Sequence, residues 1–137
     1  MVRPLVLVSL IAIMLSATLA SAQFRWRINM LPGNGNFEVI EGPYSGNQRI
    51  WCEAAKFAAG PLRASGNTRM YILHPNGPAK SLPNTYGTSF TINPTQEILD
   101  QASRPGEGGN YSVSVTRVGY NLSVSHARGF CTVNILY

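Results

Sequence analysis

Two histidines, His74 and His126, are the only side chains of this 137-residue chain whose unperturbed pKa lies near neutrality. A pair of imidazoles can serve as general acid and base in metal-free cleavage of RNA, where a neighbouring 2′-hydroxyl is the nucleophile. Arg128, two residues after His126, supplies a cation for the charge of the transition state. These residues define one hypothesis, a small metal-independent hydrolase resembling a ribonuclease in its chemistry. His74 alternates with Met70 and Ile72, which predicts that it lies on the apolar side of its strand. The simpler interpretation gives both histidines ordinary structural or surface roles, and we assign no catalytic residue from the sequence.

Other catalytic and cofactor patterns are weaker still. Glu53 lies three or four residues from Arg49 and Lys56, a helical spacing typical of surface ion pairs. Two distant histidines and six scattered acids lack the close ligand spacing of a zinc or calcium site. The chain also lacks a phosphate-binding loop, a GxSxG elbow and a redox CxxC pair. We therefore expect no metal and no cofactor.

Cys52 and Cys131 are the only cysteines, and the sequence around neither of them contains an adjacent histidine that would favour a nucleophilic role. An even pair in an exported protein predicts a disulfide. Closing a loop of about 80 residues would contribute roughly 4 kcal/mol in the chain-entropy model. We predict a structural disulfide that ties the first half of the domain to its last strand.

The first 22 residues have the composition of a cleavable signal peptide. Arg3 precedes an apolar run over 5–19, and small residues at 20–22 match a signal-peptidase site. The run is short for a membrane span, so we expect no stable span after cleavage. The remaining residues, 23–137, are enough for one exported domain, and we predict a secreted or periplasmic location.

Positive charge is in excess in this predicted domain, with ten basic against six acidic residues. Such an excess favours anionic partners, although the cations are scattered rather than clustered. Arg25, Arg27 and Arg128 are the binding candidates. Arg25 and Arg27 flank Trp26, an interleaving used by single-strand nucleic-acid surfaces, but alternation in a strand would turn Trp26 away from both arginines.

Hydrophobic periodicity predicts an α+β domain in which an antiparallel sheet packs on one main helix. Apolar residues recur at helical spacing over about 47–59, and Gly60-Pro61 ends that helix. Asn93, Pro94 and Gln96 are start signals for a short second helix over about 94–102. Alternating or β-prone segments predict strands over 24–30, 37–40, 68–74 and 89–92. Turn-forming residues predict tight turns at 31–36 and 75–78, and 79–88 is predicted to be a surface loop.

The last third of the chain is predicted to be β-structure. Residues 111–116 and 120–125 alternate between apolar and hydroxyl side chains, which predicts a hairpin with one hydroxyl-rich face, and 130–137 is predicted as a final strand. That hydroxyl-rich face could hydrogen-bond a sugar or a partner strand. Asn110 and Asn121 match the N-glycosylation pattern, which matters only in a eukaryotic host.

The function that best fits these observations is non-enzymatic binding of a protein or of an anionic envelope or polymer partner. Export, a disulfide, small size and basic charge all suit such a binder. The hydrolase hypothesis with His74, His126 and Arg128 remains the alternative, as does an inhibitor of a secreted enzyme. Nucleic acid is a possible partner with weaker support, and the oligomeric state stays open.

Overall fold

The computed structural model describes residues 26–42, 46–103 and 113–133. The predicted signal peptide at 1–22 and the candidate Arg25 therefore lie outside the described residues. Within these ranges the chain forms one five-stranded antiparallel sheet and three helices, which confirms the α+β fold.

The strands run in the order β1-β2-β4-β3-β5 across the sheet, and every pair is antiparallel. A tight connection joins β1 to β2, as the turn-forming residues 31–36 predicted. β1 and β5 form the two edges of the sheet. The strands are β1 (Arg27–Met30), β2 (Asn36–Ile40), β3 (Arg69–Pro78), β4 (Tyr86–Thr91) and β5 (Asn121–Ser123).

The core lies between one face of the sheet and helix α1 (Asn47–Ala59), whose bounds agree with the prediction. Trp51 of α1 meets Phe90 of β4 edge-on at 4.9 Å between ring centroids, and Phe90 stacks on Phe37 of β2 at 5.7 Å. All three side chains are fully buried. Because successive strand residues point to opposite faces, Glu38 and Ser89, beside Phe37 and Phe90, point away from α1. We call that side the open sheet face.

The second helix, α2 (Gln96–Ala102), begins two residues later than predicted. Thr95 is its N-cap, and the Thr95 hydroxyl accepts a hydrogen bond from the Ile98 amide. Pro94 therefore precedes the helix instead of occupying its first turn. Only Ile98 of α2 is buried, consistent with a helix at the surface.

The predicted final strand over 130–137 is wrong in its described part, because Val124–Val133 forms a third helix, α3. Ser123 caps it: the Ser123 hydroxyl accepts a hydrogen bond from the His126 amide at 3.1 Å. Val124 and Ala127 are buried in the core, and α3 packs against α1. The helical spacing of these small and apolar residues outweighs the β-propensity of the segment. Residues 134–137 lie outside the described residues.

The disulfide is present between Cys52 and Cys131, with 5.0 Å between their Cα atoms. It joins α1 to α3, so the prediction that it reaches a C-terminal strand is corrected. Both cysteines lie in the helical layer, on the α1 side of the sheet.

The predicted hairpin of 111–116 with 120–125 is also wrong where the structure describes it. Residues 113–120 form no strand, and β5 pairs with β3 instead. Trp51 Nε1 donates to the Ser114 carbonyl at 2.9 Å, Asn47 Nδ2 donates to the Val113 carbonyl, and the Asn76 amide donates to the Val115 carbonyl. Since helix α1 and strand β3 satisfy these carbonyls, the segment needs no hairpin partner.

Strand β3 is longer than predicted, and it is irregular. It continues through 75–78, which were predicted to be a turn, and its register against β4 shifts twice, between Ile72 and His74 and between His74 and Gly77. β4 begins at Tyr86, so the predicted surface loop over 79–88 is shortened to residues 79–85. We call residues 79–85 the β3–β4 loop.

Candidate functional site

Four polar residues form one row across the open sheet face. Asn29 on β1 pairs with Glu38 on β2, Glu38 pairs with Ser89 on β4, and Ser89 pairs with His74 on β3. Directly paired residues of antiparallel strands present their side chains to the same face. The row therefore places a carboxylate, a hydroxyl and an imidazole on neighbouring strands.

Glu38 is the centre of this row, and its side chain is almost completely buried, at 1% exposure. Its Oε2 accepts hydrogen bonds from the Lys80 amide at 2.7 Å and from the Ser89 hydroxyl at 3.3 Å. Its Oε1 accepts from the Ser81 amide at 2.9 Å and from the Ser81 hydroxyl at 2.5 Å. These four donors satisfy a charge that would otherwise be costly to bury.

The same hydrogen bonds lower the pKa of Glu38. Burial acts to raise the pKa of this carboxyl, but the donors from Lys80, Ser81 and Ser89 together outweigh burial and leave the pKa below its usual value. Glu38 is therefore a carboxylate at neutral pH. A charged acceptor strengthens each of the hydrogen bonds that it receives.

Space for the Glu38 side chain depends on Gly87, which lies beside it on β4. A Cβ at Gly87 would lie 2.9 Å from the Val39 carbonyl oxygen and 3.2 Å from Glu38 Cγ. Both distances are shorter than ordinary van der Waals contact. Glycine at this position thus lets the carboxylate lie flat along the sheet.

The β3–β4 loop folds over the open sheet face and is attached to it through Glu38. Within the loop, the Ala79 amide donates to the Thr85 carbonyl and the Thr85 hydroxyl donates to the Leu82 carbonyl. Asn29 Nδ2 donates to the Ser81 hydroxyl at 2.9 Å, which extends the attachment to β1. The result is an ordered loop that presents the exposed Lys80 side chain beside the sheet.

His74 lies on the open sheet face, whereas the alternation with Met70 and Ile72 had suggested the apolar side. Ile72 pairs with Phe90 and His74 pairs with Ser89, so β3 contains one extra residue between two consecutive pairs with β4. Such a β-bulge transfers the following side chain to the other face. Burial and the nearby charge of Lys80 lower the pKa of His74, while the Glu38 carboxylate acts in the opposite direction.

Ser89, His74 and Glu38 are the residue types of a serine-hydrolase triad, but their arrangement differs. In such a triad the histidine lies between the hydroxyl and the carboxylate. Here the Ser89 hydroxyl donates to Glu38 directly, Ser89 is fully buried, and the β3–β4 loop occupies both carboxylate oxygens. Within this row, Glu38 is the residue that holds the loop, and the Ser89 hydroxyl is one of its donors.

The structure does not bring His74 and His126 together. His126 is exposed on α3 in the helical layer, with its ring 5.5 Å from that of Phe130. Arg69, which pairs with Ser123 just before α3, lies five residues before His74 along β3, about 16 Å in an extended strand. Arg128 is exposed on α3, two residues from His126, a spacing that does not place two helical side chains on one face.

The remaining binding candidates divide between the two sides of the sheet. Arg27 is exposed on β1 and shares the open sheet face with Asn29, two residues away. Trp26 packs against the core on the α1 side, with the Arg49 guanidinium 5.7 Å from its ring centroid. The aromatic ring and the Arg27 cation therefore do not form one stacking surface. Arg25 lies outside the described residues.

The other polar groups singled out in the sequence have local structural roles. Glu53 accepts ion pairs from Arg49 at 3.0 Å and from Lys56 at 3.2 Å, as the helical spacing predicted. Ser123 is the cap of α3, so it belongs to no hydroxyl-rich hairpin face. Asn121, in one of the two glycosylation sequons, hydrogen-bonds Arg69 and the Gly119 carbonyl. Asn110, in the other, lies outside the described residues.

Across residues 26–42, 46–103 and 113–133, no three metal-ligating side chains are grouped as they would be around a metal ion. The helices in these ranges are also too short or too polar to cross a membrane. Compared with known proteins, the chain has no significant match among protein-family models, curated proteins or solved structures.

Sequence reasoning missed Glu38, and one signal could have found it. Glu38 is the single charged residue between the apolar Phe37 and Val39 in a predicted strand. A carboxylate in the middle of a buried strand requires several donors. The sequence does not show that those donors come from residues 80–81, more than 40 positions away.

Proposed function

We propose that this protein is a non-enzymatic, exported domain that binds an anionic polysaccharide through the exposed cations around its open sheet face, whose central residues Glu38 and Ser89 are buried. The observation that carries the proposal is the distribution of charge. The acidic side chains in the described core and on α1 have partners inside the fold, whereas several basic side chains are exposed at the surface. Such a surface attracts polyanions over a range set by the ionic strength.

The acidic side chains of the described core and of α1 have hydrogen-bond or ion-pair partners within the fold. Glu38 is buried under the β3–β4 loop, Glu53 lies between two cations, and Glu41 accepts a hydrogen bond from Asn76. Glu97 and Asp100 are exposed, but both belong to α2 rather than to a sheet strand. The open sheet face therefore presents no exposed carboxylate among the described strand residues.

Exposed cations surround that face. Arg27 lies on β1, Lys80 on the β3–β4 loop and Arg69 on β3, where its guanidinium hydrogen-bonds Asn121. In the part of the chain that the structure describes, both ion pairs end on Glu53, and neither involves these three residues. These three cations are therefore available to contact an extended anionic chain.

A polysaccharide fits this surface better than a single-stranded nucleic acid. Single-strand binding combines cations with exposed aromatic rings on which bases stack. Trp26, the aromatic residue next to Arg27, is packed on the α1 side of the sheet, and Tyr71, which the strand register places on the open sheet face, is half-buried. The disulfide and the predicted signal peptide suit a protein that meets envelope or extracellular polymers.

The test uses heparin, a sulfated polysaccharide, with the disulfide-bonded protein. The variant R27Q/K80Q removes two cations of the open sheet face, and R63Q/R128Q removes two exposed cations elsewhere, so both variants change the net charge equally. We expect R27Q/K80Q to weaken heparin binding by about tenfold at low salt and to reduce the salt slope of log K by about two units. R63Q/R128Q should have a much smaller effect.

Three outcomes would contradict the proposal. The first is that the protein does not bind heparin at low salt. The second is that the two double variants weaken heparin binding equally, and the third is that the protein binds single-stranded DNA more tightly than heparin. Equal weakening would indicate attraction by net charge without a defined surface. Tighter DNA binding would identify nucleic acid as the partner class.

A further inference from the structure

We infer that Glu38 is a positioning residue for polyanion binding, because its buried carboxylate fixes the β3–β4 loop and thereby places Lys80 at the open sheet face. This inference rests on the proposed function above. It makes a prediction of unusual sign, since removal of a negative charge would weaken the binding of a negative ligand.

The geometry supports a direct connection between Glu38 and Lys80. Glu38 Oε2 accepts a hydrogen bond from the backbone amide of Lys80 itself, at 2.7 Å. The next residue, Ser81, donates to the other oxygen through both its amide and its hydroxyl. One carboxylate therefore holds two consecutive backbone amides, and this fixes the direction in which the Lys80 side chain leaves the loop.

The loop has few other means of holding this conformation. Its internal hydrogen bonds join residue 79 to residue 85 and residue 85 to residue 82, and none of them involves the Lys80 amide. Asn84 has a positive φ of 58°, a conformation that costs energy for a residue other than glycine. In E38Q one of the two amides loses its acceptor and the other hydrogen bonds lose the charge, so the loop is held less firmly on the sheet.

Simple electrostatics predicts the opposite result for the same substitution. E38Q raises the net charge by one, and a less negative surface binds a polyanion more tightly if position does not matter. The matched control is E97Q, which changes the charge equally at an exposed site on α2. We expect E38Q to weaken heparin binding about three- to tenfold and E97Q to leave it unchanged or slightly tighter.

A double-mutant cycle separates positioning from general destabilisation. We expect K80Q to weaken heparin binding in the wild-type background and to have a clearly smaller effect in the E38Q background, because Lys80 is then held less firmly at the face. A purely structural role for Glu38 would leave the two effects additive. Hydrogen exchange should show faster exchange of the Lys80 and Ser81 amides in E38Q.

A second pair of variants tests whether the loop positions Lys80, without changing the net charge and without removing the Glu38 carboxylate. S81A removes a hydroxyl donor of the loop, whereas S89A removes a hydroxyl donor of the sheet, and both donors bind Glu38. We expect S81A to weaken heparin binding and S89A to leave it close to that of the wild type.

The inference is wrong if E38Q binds heparin as tightly as the wild type while K80Q binds weakly, and the proposed function would then survive. The proposed function itself fails if K80Q and R27Q have no effect on heparin binding, or if the wild type does not bind. In that case unchanged exchange rates at Lys80 and Ser81 in E38Q would show separately that Glu38 does not hold the loop.

Discussion

Replacement of Glu38 by Gln tests whether the buried carboxylate stabilises the fold as well as the loop. Glu38 accepts one backbone amide on each oxygen, from Lys80 and from Ser81. A glutamine side chain has one carbonyl oxygen, so its NH2 group must face one of these two N–H donors. One of these part-buried amides then loses its acceptor, and the remaining bonds lose the assistance of the charge.

The magnitude follows from these losses. An unsatisfied buried donor costs about 1–3 kcal/mol, and weaker hydrogen bonds at the other oxygen add about 1 kcal/mol. We expect E38Q to lower the free energy of unfolding by about 2–4 kcal/mol at pH 7, measured by urea denaturation. E97Q, which makes the same charge change on the exposed surface, should change it by less than about 0.5 kcal/mol.

The pH dependence gives a second check on the same variant. The pKa of Glu38 is lower in the folded protein than its ordinary value of 4.5, so its contribution is present above that pH and is lost as the pH falls through the folded value. The stability difference between wild type and E38Q should therefore shrink below about pH 4.5. A difference under about 0.5 kcal/mol at pH 7, or one that is constant down to pH 3, would refute the reasoning.

Three further predictions concern the disulfide, Gly87 and His74. Replacing Cys52 and Cys131 by alanine removes a link across 79 positions and should lower the free energy of unfolding by about 4 kcal/mol in the chain-entropy model, as measured by urea denaturation. G87A should cost about 1–3 kcal/mol and lower the Tm in thermal unfolding, because its Cβ would press on Glu38 and on a backbone carbonyl. By NMR, His74 should titrate below 6.5, and E38Q should lower the pKa of His74 further because the carboxylate acts to raise it.

Helix α1 and the disulfide were predictable because their signals are local or compositional. The apolar residues of 47–59 recur at helical spacing, and Gly60-Pro61 ends the helix in the sequence itself. Two cysteines allow only one pairing. In the same way, the alternation over 24–30 followed by the turn-forming residues 31–36 predicts the antiparallel pair of β1 and β2.

The C-terminal third was mispredicted because two local signals conflicted with tertiary packing. Residues 130–133 are β-prone, yet Ser123 caps a helix that buries Val124 and Ala127 against the helical layer. The alternating residues 113–116 have a strand-like pattern, yet their carbonyls are satisfied by α1 and β3. In both segments the partner that decides the structure is distant in sequence.

In the candidate site, too, local features could be predicted from the sequence, whereas contacts between distant residues could not. Arg27 could be named from the sequence as an exposed cation on an edge strand, and the structure has it exposed there. Lys80 and Glu38 could not be connected, since they are separated by 42 positions and join only through a loop that folds back onto the sheet. His74 was placed on the wrong face because a β-bulge leaves no clear mark in the residue pattern.

The sequence by itself determined the α+β class, the main helix, the disulfide pairing and the excess of positive charge, because each depends on periodicity, composition or counting. Only the tertiary structure decided which acids are buried or paired, which face His74 occupies, and that a buried carboxylate holds the loop bearing Lys80. These properties depend on the register between strands and on hydrogen bonds between residues far apart in the chain. A buried carboxylate is stable only where hydrogen-bond donors surround it, and only the fold brings those donors to Glu38.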